Sequence, residues 1–220
     1  IQGCGALLRI PARRAVAAAG APILEAVADA ANQFLKVPDW RTEIHGILES
    51  LGRNIHVGHA YLFEKHMGAN GVLLNSLRYE WAAPGQTSDM ENPAYQNAPL
   101  HEFGFERYYE TLDQGEPFVG GSSFFTESEK AQMESTGIKA LLEMRIVVNG
   151  RQWGTIGFDE MTVEREWTPI EVDVIRVSAN VLGAAIKRQM DEAALQNELT
   201  QRTLLIDELE SKNAELERFT

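Results

Sequence analysis

The stretch LQNELTQRTLLIDELESKNAELERFT, residues 195–220, constrains this chain more than any other. It is polar nearly all round, yet Leu195, Leu199, Arg202, Ile206, Leu209, Asn213 and Leu216 follow one another at steps of four, three, four, three, four and three. Such a 3.5-residue repeat is the seam of a two-stranded coiled coil rather than the face of a globular surface helix. With Leu199, Ile206 and Asn213 at a, and Leu195, Leu209 and Leu216 at d, one polar Asn occupies a core position, a device that fixes register and favours two strands. Arg202, also at d, weakens the seam, as suits a helix that must shift rather than clamp. The competing reading is a solvated single helix, which would leave its Leu/Ile stripe without a partner. A homodimer is therefore expected, and the question becomes what this helix connects.

A chain of 220 residues, 44% of them hydrophobic, can bury one ordinary core and still have a helical extension left over. We divide it into a linker or tail of a preceding domain (1–21), a globular domain (22–189) and the coiled-coil helix (190–220). The formal charge of -12, with no offsetting Lys/Arg cluster, argues against nucleic acid and anionic membrane surfaces as partners. Cys4 is the single cysteine, so no internal disulfide or dithiol site can form, and a reducing cytoplasm fits. No apolar run reaches the roughly 18 residues of a membrane span. The chain begins at Ile and ends on an unfinished helical pattern, which we read as a piece of a longer protein.

The element order follows from punctuation and periodicity. An Ala-rich segment with Ile23, Val27, Ala30, Ala31 and Phe34 on one face forms a leading helix. Asp39 caps a second, whose stripe is Trp40, Ile44, Ile47, Leu48 and Leu51, ending before Gly52. HVGHAYLFEKH and GVLLNSLRYEWAA alternate as strands around the turn MGANG. Residues 84–125 read as long loops with one short helix at FERYYETLDQG. Thr126 caps another short helix that closes at Gly137. Two strands around Asn149-Gly150 follow, and from Pro169 one long helix runs into the heptads.

This order is similar to a GAF domain, a sensory fold akin to PAS domains. AYLFEKH, GIKALLEMRIVVNGRQWGTIGFDE and REWTPIEVDVIRVSANVLGAAI carry the resemblance, which covers about residues 39–189. It implies an α+β fold, an antiparallel sheet flanked by helices with a long C-terminal signalling helix. The end, NAELERFT, resembles the approach to the phosphoacceptor helices of sensor histidine kinases in two-component systems. That implies a regulatory input module that relays a ligand or upstream signal to a kinase core through the parallel C-terminal helices of a homodimer. None of the five histidines is followed by the acidic residue and Leu of a phosphoacceptor site, so no catalytic residue is expected in this stretch and the transferase activity would belong to the parent.

Several ligand classes can be weighed on the residues. Phytochrome-like relatives attach a tetrapyrrole to a cysteine; Cys4 lies outside the sensory unit, and no covalent tetrapyrrole is expected. The GAF-type methionine sulfoxide reductases need several cysteines in the domain, which are missing. Phe158-Asp159-Glu160 matches part of the cyclic-nucleotide-binding motif, without its Asn-Lys. His56, His59 and His66 lie on or beside one strand where residues three apart face opposite sides, and no neighbouring Cys or acidic cluster in the sequence completes a metal set, so none is expected. There remain the aromatics between Tyr79 and Trp153, which suit either a ligand pocket or a core that anchors long loops. The candidate ligand residues are Tyr79, Trp81, Phe105, Tyr108 and Phe124, with Arg107 and Arg145 as partners for an anionic ligand. A ligand-free dimerisation module and a small-molecule-modifying enzyme stay open as alternatives, although no acid/base or nucleophile pair can be named for the latter.

Overall fold

The computed structural model describes residues 25–218 apart from 27, 35, 70, 100–105, 122–123, 128 and 131–135. The linker 1–21, Cys4, Ile23 and Val27 of the leading helix, and Phe105 lie outside the described residues. Asp39 does act as a cap: its carboxylate accepts from the Arg41 amide at 3.0 Å and opens a short 3-10 turn, Trp40–Thr42. Helix α1 (Ile44–Ile55) follows, and Trp40, Ile44, Ile47, Leu48 and Leu51 are all buried as the periodicity requires. The expected stop at Gly52 is wrong. The helix runs on to Ile55 and ends at His56 in the left-handed region, φ 59°. Gly52 is instead a packing residue, because a Cβ there would stand 2.3 Å from the Trp81 ring.

Strands β1 (His59–Met67) and β2 (Leu73–Ala82) form the first hairpin, and β5 (Ala140–Val148) and β6 (Arg151–Glu160) the last. Asn149 and Gly150 both have positive φ, 51° and 74°, which is the turn that lets two right-twisted strands meet through two residues. Two further strands, β3 (Ala98–Pro99) and β4 (Phe118–Gly121), and helix α2 (Glu106–Asp113) lie in the segment read as loops with one helix. The helix was legible. The strands are too short to show alternation, and they sit at the sheet edges. The order is β3-β2-β1-β6-β5-β4, with every neighbouring pair antiparallel.

One face of this sheet carries the main core. Ala60 and Leu62 of β1, Leu142, Met144 and Ile146 of β5, and Ile156 and Phe158 of β6 pack against α1 and the C-terminal helix. That helix, α3 (Pro169–Glu217), is 49 residues long. Thr168 and Glu171 form a reciprocal capping box, Pro169 occupies the first turn, and Arg165 pairs with Glu171. Val174, Ile175, Ala179, Leu182 and Ile186 are buried on the sheet. Beyond Gln189 every described residue is exposed, the seam leucines included, with Leu209 at 61% and Leu216 at 65%. Arg188 donates to the carbonyls of Phe34 (2.7 Å) and Val37 (2.6 Å), tying the exit helix to the leading helical segment.

Candidate functional site

The opposite face of the sheet is where chemistry gathers. Strand alternation sends His59, Tyr61 and Phe63 away from the helices. The register lines Glu80, Tyr61, Gly157 and Glu143 into one row across β2, β1, β6 and β5, with His59, Asp159 and Leu141 in the next. Gly157 leaves the row open at its centre, and the Tyr61 ring occupies that space: a Cβ on Gly157 would lie 2.4 Å from it. Tyr61 thereby reaches both acids, its hydroxyl donating to Asp159 Oδ1 at 3.0 Å with Glu143 Oε2 at 3.4 Å. From α2 above, the Tyr108 hydroxyl donates to Glu143 Oε1 at 2.7 Å.

Around this network lies a cavity of about 340 Å³. Tyr61, Phe63, Tyr95, Tyr108 and Tyr109 give it aromatic walls, and Glu80, Asp89, Glu143 and Asp159 give it four carboxyl groups. Burial raises the Asp159 carboxyl well above the usual carboxylate range, and the nearby Glu143 charge adds to it. Burial raises Glu143 as well, against the opposing pull of its tyrosine hydrogen bonds. The hydroxyls of Tyr61 and Tyr108 are pushed up in turn, so both remain donors at neutral pH. Among the described residues none of the four carboxyl groups is in an ion pair.

Gly157→Ala therefore has a defined expected effect. The methyl group displaces the Tyr61 ring, breaks its bond to Asp159 and lowers stability by about 1–3 kcal/mol, the usual range for overpacking. Thermal denaturation reads it; a melting temperature equal to that of the parent would mean the ring has space to yield.

A second cluster sits at the edge of the cavity. Ligand-type atoms of His59, Glu80 and Asp89 lie within 4.8 Å of one another, a grouping that could hold a metal. Sequence reasoning looked for acids beside His59 in the chain, whereas the fold brings them from β2 and the loop after it. These atoms also serve the loop. Glu80 Oε2 accepts from Ser88 Oγ (2.6 Å) and the Asp89 amide (2.8 Å), Asp89 accepts from Asn92 (3.1 Å), and His59 Nε2 lies 3.0 Å from the Thr87 carbonyl.

Of the candidate ligand residues, Tyr108 lines the cavity. Tyr79 and Trp81 belong to the helix-side core instead, Tyr79 stacking edge-on against Trp40 with ring centroids 5.6 Å apart. The cause is a bulge: β1 and β2 pair Leu62 with Tyr79 but Phe63 with Leu77, so Tyr79 and Trp81 share the face of Leu62 and Ala60. Arg107 is engaged by Glu129 at 2.6 Å and stacks over Phe118 and Phe124. Phe124 is half exposed over Gly120, and Arg145 donates to the Asp113 carbonyl at 2.6 Å. Neither arginine lines the cavity. Sequence reasoning missed Tyr61 and Glu143 and weighed Asp159 only as part of a nucleotide motif; each is a polar side chain whose immediate strand neighbours include core residues, Ala60 and Leu62, Leu142 and Met144, and Phe158.

The family model for GAF domains matches residues 39–186. The chain is 36% identical over 200 residues to the methanogenesis regulatory histidine kinase FilI of Methanothrix harundinacea (strain 6Ac), an alignment that takes in 90% of this chain and 22% of that protein. It thus spans about a fifth of the length of the curated relative it matches. Among solved structures it is similar in fold to the bacteriophytochrome RpBphP3 from R. palustris, with a TM-score of 0.65 at 12% identity over 83% of this chain and 40% of that one. It is likewise similar to GAF3 from Slr1393 of Synechocystis sp. PCC6803, with a TM-score of 0.57 at 17% identity over 71% and 98%. No helix among the described residues is long and apolar enough to cross a membrane.

Proposed function

We infer that this chain, which belongs to the GAF domain family, is the sensory input module of a cytoplasmic histidine kinase, and that it works by binding a small molecule in the cavity between the sheet and α2. The relation to a regulatory histidine kinase supports the parent's class. The observation that carries the ligand-binding reading is the cavity itself, aromatic-walled with convergent polar groups at its floor.

The route outward is short. Glu143 and Asp159 face the cavity, and their strand neighbours Leu142, Met144 and Phe158 face the helices. A ligand that repositions the acids tilts the same strands on which α3 is packed, and α3 continues unbroken into the heptads. Two arrangements of a parallel helix pair, bound with different affinity by the ligand, would then set the activity of the kinase.

Native mass spectrometry of the purified chain tests this reading. An added mass per protomer that disappears when Leu77, a buried wall residue, is replaced by Trp supports it. A clean dimer without added mass, unchanged by ligand extracts, would favour a module that only relays signals from upstream.

A further inference from the structure

Resting on the reading of the cavity as the sensory site, we propose that its occupant is a small organic cation, an ammonium compound held between tyrosine faces and the Glu143–Asp159 carboxyl pair. The charge of the walls is the first ground. Among the described residues that line the cavity there are four acidic side chains and no Lys, Arg or His. Glu143 and Asp159 are both more than nine-tenths buried, at 5% and 8% exposure. The nearby cations are occupied elsewhere: Lys65 donates to Gln152 at 2.7 Å, and Arg145 to the Asp113 carbonyl. An anion entering such a space meets acidic side chains on its walls, whereas a buried carboxylate gains most from an opposite charge brought to it in low dielectric.

Ring geometry is the second ground and is independent of the first. Tyr61 and Phe63 come from β1, Tyr95 from the loop after β2, and Tyr108 and Tyr109 from α2, so aromatic groups from three separate segments surround one space. Neighbouring rings meet edge to face, Tyr61 with Phe63 at 5.6 Å, Phe63 with Tyr95 at 5.9 Å and Tyr108 with Tyr109 at 5.1 Å. Rings set at steep angles to one another form a cage rather than a stack, and the negative faces of such cages recognise alkylammonium groups. The two tyrosine hydroxyls satisfy part of the carboxyl pair, and burial still raises the proton affinity of both acids, Glu143 in spite of the more distant Lys65 charge. An ammonium group would supply the missing positive charge.

The test is calorimetry and thermal shift on the purified chain with methylammonium, tetramethylammonium and choline chlorides, against sodium chloride at equal ionic strength. The uncharged carbon analogue of choline, in which a quaternary carbon replaces nitrogen, controls for shape. At least one cation is expected to bind, with the analogue about tenfold weaker or worse. Glu143→Gln combined with Asp159→Asn should weaken the cation by at least about tenfold. Should that variant not fold, Tyr95→Ala removes a cage wall from a loop and is expected to weaken the cation about fivefold, with its own melting transition in the absence of cation confirming that it folds. Equal binding of the carbon analogue, indifference to both variants, or no shift with any of the three cations overturns the proposal. So does a divalent metal that binds at the cavity, is removed by chelator and is lost in His59→Ala. A neutral or anionic adduct in native mass spectrometry would overturn the cation while leaving the sensory reading intact; absence of every adduct and of all binding would remove both.

Discussion

Leu209→Glu together with Leu216→Glu is expected to reduce the proposed coiled-coil dimer to a monomer, read as a halved mass by light scattering or sedimentation equilibrium. Both leucines are solvent-exposed in the single chain and sit at successive d-type positions. In a pair, each layer buries two leucines, worth about 1.5–3 kcal/mol apiece. Replacing two layers thus forfeits about 6 kcal/mol or more, and four carboxylates are set against one another in its place. That is comparable with the whole free energy of a micromolar dimer, about 8 kcal/mol. Helical content beyond residue 190 should fall at the same time, because a solitary helix of this length is marginal in water without a partner for its apolar stripe. An unchanged dimer with both substitutions in place would show that the globular domains, not the seam, hold the protomers together.

The largest expected loss of stability comes from a single methyl group. Gly154 lies at the middle of the sheet, between Glu64 on β1 and Ile146 on β5. A Cβ there would stand 2.0 Å from the Phe63 carbonyl oxygen and 3.2 Å from Glu64 Cα, all main-chain atoms. Unlike the Tyr61 ring over Gly157, main chain cannot turn aside; the β1–β6 pairing itself must part. Gly154→Ala should cost about 3 kcal/mol or more, a fall in melting temperature of about 6–12 °C for a domain of this size. A change of less than about 2 °C would show that the two strands have slack at this point.

These two substitutions mark the two kinds of information in the chain. The seam is a local property: five apolar residues among seven regularly spaced positions specify a stripe however the rest of the chain folds. The same is true of the Thr168–Glu171 capping box and of the Asn149-Gly150 turn, whose backbone requirements lie within a few residues. Even the helix stripe of Trp40 to Leu51 follows from period alone. Gly52 shows the limit. As a sequence signal it reads as a helix stop, while its actual role is to admit a ring from a strand some thirty residues away.

The candidate site lies further still from local reading. Tyr108 was reachable because it stands on a helix amid aromatics, but Tyr79 and Trp81, equally aromatic, were turned onto the core side by a bulge that shifts the β1–β2 register by one residue. A slip of one in a strand exchanges faces, and nothing in the composition of SLRYEWAA announces it. The acid pair required more: Glu143 and Asp159 are sixteen residues apart on adjacent strands and meet only through Tyr61 of a third strand, whose ring lies over Gly157.

What the sequence determined by itself was the principal helices, the two hairpins with the Asn149-Gly150 turn, and the long exit helix with its heptad pattern, since each depends on interactions among residues close along the chain. What only the tertiary structure decided was which face each strand residue took, and hence that four acids and five rings enclose one cavity while the arginines turn elsewhere. Those outcomes depend on strand register and side-chain packing between distant segments, and such long-range pairings leave no periodic trace in any one of them.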